Sequence, residues 1–179
     1  MNRLTRILPV AAGIVGAALI FACTTEVTGP GTTPQFAQAS APGSSEFTKC
    51  SPQPPSSAKA WIGPNGGSVR AGDHVLIVPA RALKVGTWIT LQAPSDEINR
   101  VVFGPEGLKF QKNYPARLVM SYQDCVVNPG AEQRIVQVNE SLSIIETPPS
   151  EDDPLTQTVG AKLSHFSDYV LVSTYAVVY

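Results

Sequence analysis

From Ala58 onward the chain is cut into short runs rich in Val, Ile, Tyr, Phe and Thr. The runs are Ala58–Ile62, His74–Val78, Thr87–Gln92, Arg100–Phe103, Arg117–Tyr122, Arg134–Asn139, Leu142–Glu146, Thr158–Leu163 and Phe166–Val172. Gly63-Pro64-Asn65-Gly66-Gly67, Gly104-Pro105, Asn128-Pro129-Gly130 and Pro148-Pro149 punctuate them. β-Branched and aromatic side chains suit a pleated, half-buried surface, and Gly/Pro clusters at this spacing turn one strand into the next. No stretch sustains a helical apolar period, and Pro79–Leu83 amounts to one turn at most. The pattern predicts an all-β fold, a single antiparallel β-sandwich over residues 58–179. No internal repeat is visible. The glycines at 63–67 are a weak phosphate-loop signal, because neither Gly-Lys-Ser/Thr nor a helix start follows. They read as a tight connection between strands.

The first 22 residues have a different character. Arg3 and Arg6 form a positive start, Ile7 to Phe21 is apolar and broken only by Pro9, and Ala22 precedes Cys23. That order of zones is expected of an export signal, which lies outside fold reasoning. Ile20-Phe21-Ala22-Cys23 resembles a lipoprotein cleavage box, although Phe21 is not the usual residue at its position. The resemblance implies cleavage after Ala22, lipidation of the Cys23 thiol, and a protein held at the cell envelope facing the periplasm or the exterior. Two alternatives stay open. A retained anchor would need about 20 apolar residues to span a bilayer, more than the run supplies. An ordinary signal peptide cut nearby would leave Cys23 a spare thiol.

Residues 23–57 are mostly Thr, Ser, Pro, Gly, Ala and Gln. So little apolar surface cannot offset ordering entropy, and a disordered tether is expected, with a reach of roughly 30 Å. Without Arg3 and Arg6 the chain's 13 basic residues fall to 11, against 14 acidic. The exported part is therefore mildly acidic and has no basic stripe for nucleic acid. Cys50 and Cys125 are the remaining cysteines. In an exported chain they are expected to oxidise to a disulfide, the alternative being two separate thiols. Two cysteines with no histidine nearby are too few for a structural zinc site.

Three segments line up in order. Gly66-Gly67-Ser68-Val69 leads into the run from His74 to Leu83. Gly104-Pro105-Glu106-Gly107-Leu108-Lys109-Phe110 precedes Pro115 and Leu118-Val119-Met120. The third is Leu163-Ser164-His165-Phe166-Ser167-Asp168-Tyr169-Val170-Leu171. Together they resemble the ZU-five domain of zonula occludens scaffolds, uncoordinated-five netrin receptors and ankyrins, over residues 60–173. The resemblance implies a β-sandwich that works as a protein-interaction module. Arg81 stands where that family usually has glycine, and the family's companion domains are not expected after the last motif.

His165-Phe166-Ser167 carries the one chemical reading. On a strand, residues two apart share a face, so His165 and Ser167 are expected side by side. A serine beside a base can attack the carbonyl of Phe166, and relatives with a second β domain self-cleave at such a Phe–Ser bond. The bland alternative is a strand with Phe166 in the core and Ser167 hydrogen-bonded. Asp168 falls on the opposite strand face, so a Ser-His-Asp arrangement lacks members. Glu151-Asp152-Asp153 reads as a solvated, Pro-flanked loop; a calcium site would need six or more oxygens. Trp61, Trp88, Tyr114 and Tyr122 read as core or sheet-surface aromatics. The sequence thus points to a lipid-anchored, non-catalytic interaction or structural module with a protein or envelope partner and no cofactor or metal. Its rivals are a self-processing domain and a carbohydrate-binding module, the latter marked by exposed aromatics.

Overall fold

Alternation along the strands decides which face turns inward. In Thr87–Ala93 the side chains of Ile89 and Leu91 are buried while Trp88 and Gln92 are exposed. The structure, a computed structural model, describes residues 44–175, all within the compact unit Ala39–Tyr179. In chain order the strands are β1 Ser45–Phe47, β2 Ser56–Ile62, β3 Gly67–Ala71, β4 His74–Val78, β5 Thr87–Ala93 and β6 Arg100–Gly104. They continue with β7 Ala116–Ser121, β8 Ala131–Val138, β9 Ile144–Glu146, β10 Ser150–Asp153, β11 Thr158–Leu163 and β12 Asp168–Tyr175. Among the described residues there is no helix. The signal segment and Cys23 lie outside the described residues.

The strands form two antiparallel sheets packed as a sandwich. One runs β2-β5-β6-β12-β8-β9, with β1 also on β12; the other runs β10-β11-β7-β4-β3. Between them lie Leu76, Ile89, Leu91, Leu118, Met120, Ile135, Leu163 and Leu171. At one end Phe103, Phe110, Phe166 and Tyr169 add an aromatic cluster. A second, smaller apolar layer lies on the outer side of the larger sheet. There Val136, Val138, Val170 and Val172 are covered by Phe47, Ile98 and Leu142.

The expected tether of residues 23–57 is too long at its C-terminal end. β1 pairs with β12 through Ser45↔Thr174, Glu46↔Ser173 and Phe47↔Val172. Thr48 is buried, and its hydroxyl donates to Gln133 Oε1 at 2.7 Å while Gln133 Nε2 donates to Ser173 Oγ at 2.9 Å. The segment is ordered by these polar bonds to a sheet edge and by Phe47, so its low apolar content was a poor guide. Similarly, Glu151-Asp152-Asp153 is no solvated loop but part of β10. Its side chains complete the free edge of β8: Gln133 N donates to Asp152 Oδ2 (2.8 Å) and Ile135 N to Ser150 Oγ (3.1 Å). Tyr122 O–H also donates to Asp152, at 2.8 Å.

The glycine cluster is a tight connection. Gly66 has φ 77°, and a Cβ there would fall 2.7 Å from the backbone nitrogen of Ala80. The turn is thereby seated against the chain leaving β4, where Arg81 N donates to Pro64 O at 2.7 Å.

Candidate functional site

His165, Phe166 and Ser167 do not assemble a reacting centre. β12 begins at Asp168, and His165 forms only an isolated bridge with Lys109. The expected strand geometry that would set His165 beside Ser167 is therefore absent. Phe166 is 2% exposed; its ring stacks on Phe103 at 4.7 Å and meets Phe110 edge-on at 5.2 Å. Ser167 Oγ accepts from Gln137 Nε2 at 3.0 Å. His165 Nε2 lies 3.6 Å from Glu146 Oε2, and its carbonyl accepts from the Tyr169 hydroxyl at 2.8 Å. Burial pushes the Tyr169 hydroxyl far above the usual phenol range, so it stays a donor. Attack by a serine requires a hydrogen-bonded base. Here nucleophile and imidazole have separate partners, and no hydrogen bond joins them among the described residues. Asp168 is half-buried; burial raises its pKa, opposed by Arg100.

A cleft of ≈ 220 Å³ lies at the other end of the sandwich, lined by residues including His74, Asp96, Asn99, Arg100 and the two cysteines. Cys50 and Cys125 are joined as a disulfide. Asn99 Nδ2 donates to Ser121 O at 2.7 Å and lies 3.3 Å from Cys125 Sγ. Arg100 is paired with Asp96 at 2.6 Å. Asn99 Oδ1 and Arg100 Nε are buried without a protein partner, which makes the cleft polar and fit for water or a small polar molecule. No cluster of three or more metal-ligating side chains occurs among the described residues. The sequence had given no sign of this cleft, since its walls come from distant turns.

His74 Nδ1 accepts from Ser121 N at 3.3 Å, which requires the neutral ring. Burial lowers its pKa below the ordinary 6.5, with Asp73 opposing and Arg70 assisting. A base depressed in the fold binds its proton more readily when unfolded. The stability it confers is therefore present above 6.5 and is lost as pH falls from there through the folded value. We expect the urea midpoint to fall between pH 7.5 and 5 by more in the parent than in His74→Asn, which keeps an acceptor but cannot titrate. Parallel pH profiles would refute this role.

The larger sheet carries a third feature. Its outer side is covered over β12 and β8 but open over β2 and β5. Trp61 and Trp88 face each other across these strands, are 58% and 53% exposed, and meet edge to face with centroids 5.7 Å apart. Lys59 Nζ sits 5.2 Å above the Trp88 ring. Trp61 lies against Gly86, where a Cβ would come within 2.6 Å of the indole. From the sequence both read as core or sheet-surface aromatics, alongside Tyr114 and Tyr122. Their exposure as a cross-strand pair needed the register.

With the geometry in place, comparison with known proteins adds no kinship: no protein-family profile matches the chain, and no curated protein sequence matches it significantly.

Proposed function

We propose that this is an envelope lipoprotein whose β-sandwich is a non-catalytic interaction module. In this reading residues 1–22 are removed and Cys23 carries the lipid. No cofactor takes part. The observation that carries the binding role is the exposed Trp61–Trp88 pair on an open sheet face. Half-exposed indoles withdraw much apolar area from water when covered, and they are enriched where proteins meet partners. The same pair favours a second reading, a carbohydrate-binding module.

The likeness to ZU-five domains draws support from how the three motifs meet. Phe110 N donates to Ser164 O, Phe166 N to Leu108 O (both 2.8 Å), and Gln111 N to Ala82 O at 3.0 Å. Arg81 has φ 71°, a conformation glycine adopts freely and other residues at a cost of about 1–2 kcal/mol. That is the position where the resembled family has glycine.

Detergent-phase partition tests the anchor. Cys23→Ala is expected to keep its N-terminal segment, to carry no diacylglycerol by intact mass, and to partition only through that apolar segment. A variant that is processed and partitions like the parent would remove the lipoprotein reading.

A further inference from the structure

The geometry points to an anionic polysaccharide as the ligand of the Trp61–Trp88 face, an inference that rests on the envelope-binding reading above. β2 and β5 place three rungs in line on this face: Trp61↔Trp88, Lys59↔Thr90 and Ser57↔Gln92. Five of the six side chains are exposed and Thr90 is half-buried. Four residue steps along a strand make the strip about 13 Å long. It thus offers a short oligosaccharide two indoles for the apolar faces of its rings, then hydroxyl and amide groups for its hydroxyls.

Charge complementarity sets the sign of the ligand. β2, β5, the turn at 63–66 and the connection at 79–86 carry Lys59, Arg81 and Lys84 and no Asp or Glu. Lys59 stands on the strip over Trp88, the Arg81 guanidinium donates to the Tyr114 hydroxyl and lies over that ring, and none of the three is in an ion pair among the described residues. The local surplus runs against a chain that is acidic as a whole. Acid groups lie beyond the Ser57↔Gln92 end of the strip, with Asp73, Asp96 and Asp124 around the cleft that Ser56 and Ala93 also line, and Glu106 and Glu140 near Asp168.

The strip and β1 lie toward opposite ends of the larger sheet. Gln92, Val102 and Asp168 lie in one row across β5, β6 and β12. Trp88 is four residues from that row in one direction. Thr174, the partner of Ser45, is six residues from it in the other. The strip and β1 are therefore separated by about 30 Å along the strands. Thr90, Gln92 and Ser57 continuing the strip suit a sugar better than an acyl chain.

Trp61 and Trp88 are the only tryptophans in the protein, so intrinsic emission reports on the site alone. The test titrates the mature protein in neutral detergent with polygalacturonate, with dextran as a neutral polymer and phosphatidylglycerol added to the micelles as the membrane arm. Polygalacturonate should produce a saturable change in emission that weakens with salt. Trp88→Ala, read through Trp61, and Lys59→Ala/Lys84→Ala should each weaken binding about tenfold with unchanged thermal melting. No response to polygalacturonate, an equal response to dextran, a response to phosphatidylglycerol alone, or variants that bind like the parent would each overturn the assignment. Partition of Cys23→Ala is read independently, so failure here is distinct from failure of the anchor.

Discussion

Replacing Cys50 and Cys125 together by alanine is expected to lower stability by about 4–5 kcal/mol in the chain-entropy account. The bond closes a loop with a sequence separation of 75, so its removal releases much freedom in the unfolded chain. The native state also loses a tie. Cys50 N donates to Glu97 O and Val126 N to Lys49 O, at 2.9 and 2.8 Å, which lays the segment after β1 between two distant turns. Without the bond, β1 and the buried Thr48 are still held by β12, by Phe47 on the outer valine layer and by these hydrogen bonds. Urea denaturation of parent and double variant measures the difference, and a reductant should reproduce it in the parent alone. A loss under 1 kcal/mol would mean that the disulfide contributes little to this fold.

Phe166→Ala should destabilise by about 3–5 kcal/mol, the usual range for truncating a buried aromatic. The ring contacts Phe103 and Phe110 at stacking distances, and Tyr169 packs on Phe103 at 6.0 Å. One truncation therefore loosens the cluster that closes this end of the sandwich. Ser167→Ala removes only the acceptor for Gln137 Nε2 and should cost about 1 kcal/mol. The contrast discriminates between roles. A structural tripeptide gives a large effect at Phe166, a small one at Ser167 and an unbroken chain in all cases. Equal effects on stability, or a fragment that disappears in Ser167→Ala, would favour self-processing.

The residues that announced themselves in the sequence did so through alternation and β-branching. His74–Val78 and Thr158–Leu163 were expected as strands and are β4 and β11 with the same bounds. β3 went unseen because Gly67-Ser68-Val69-Arg70-Ala71 is mostly small or polar, and only Val69 and Ala71 turn inward. β10 was hidden for a stronger reason. Its acidic residues are poor strand formers, and Asp152 is placed by Gln133 N and Tyr122, contacts no local pattern encodes. β1 was lost to composition, since a strand of three residues can be ordered by an existing edge without much apolar surface. The strand expected from Phe166 starts at Asp168 instead, which leaves His165-Phe166-Ser167 before β12. The tryptophan face was only partly legible: residue type left Trp61 and Trp88 open as core or surface, and pairing register and the open outer layer decide their exposure.

Intact-mass measurement of the protein extracted from membranes tests the central claim most directly. The account predicts one unbroken chain that begins at Cys23, carries diacylglycerol, and is lighter by two hydrogens for the Cys50–Cys125 bond. A chain with an unmodified N-terminus, or a separate fragment beginning at Ser167, would contradict it.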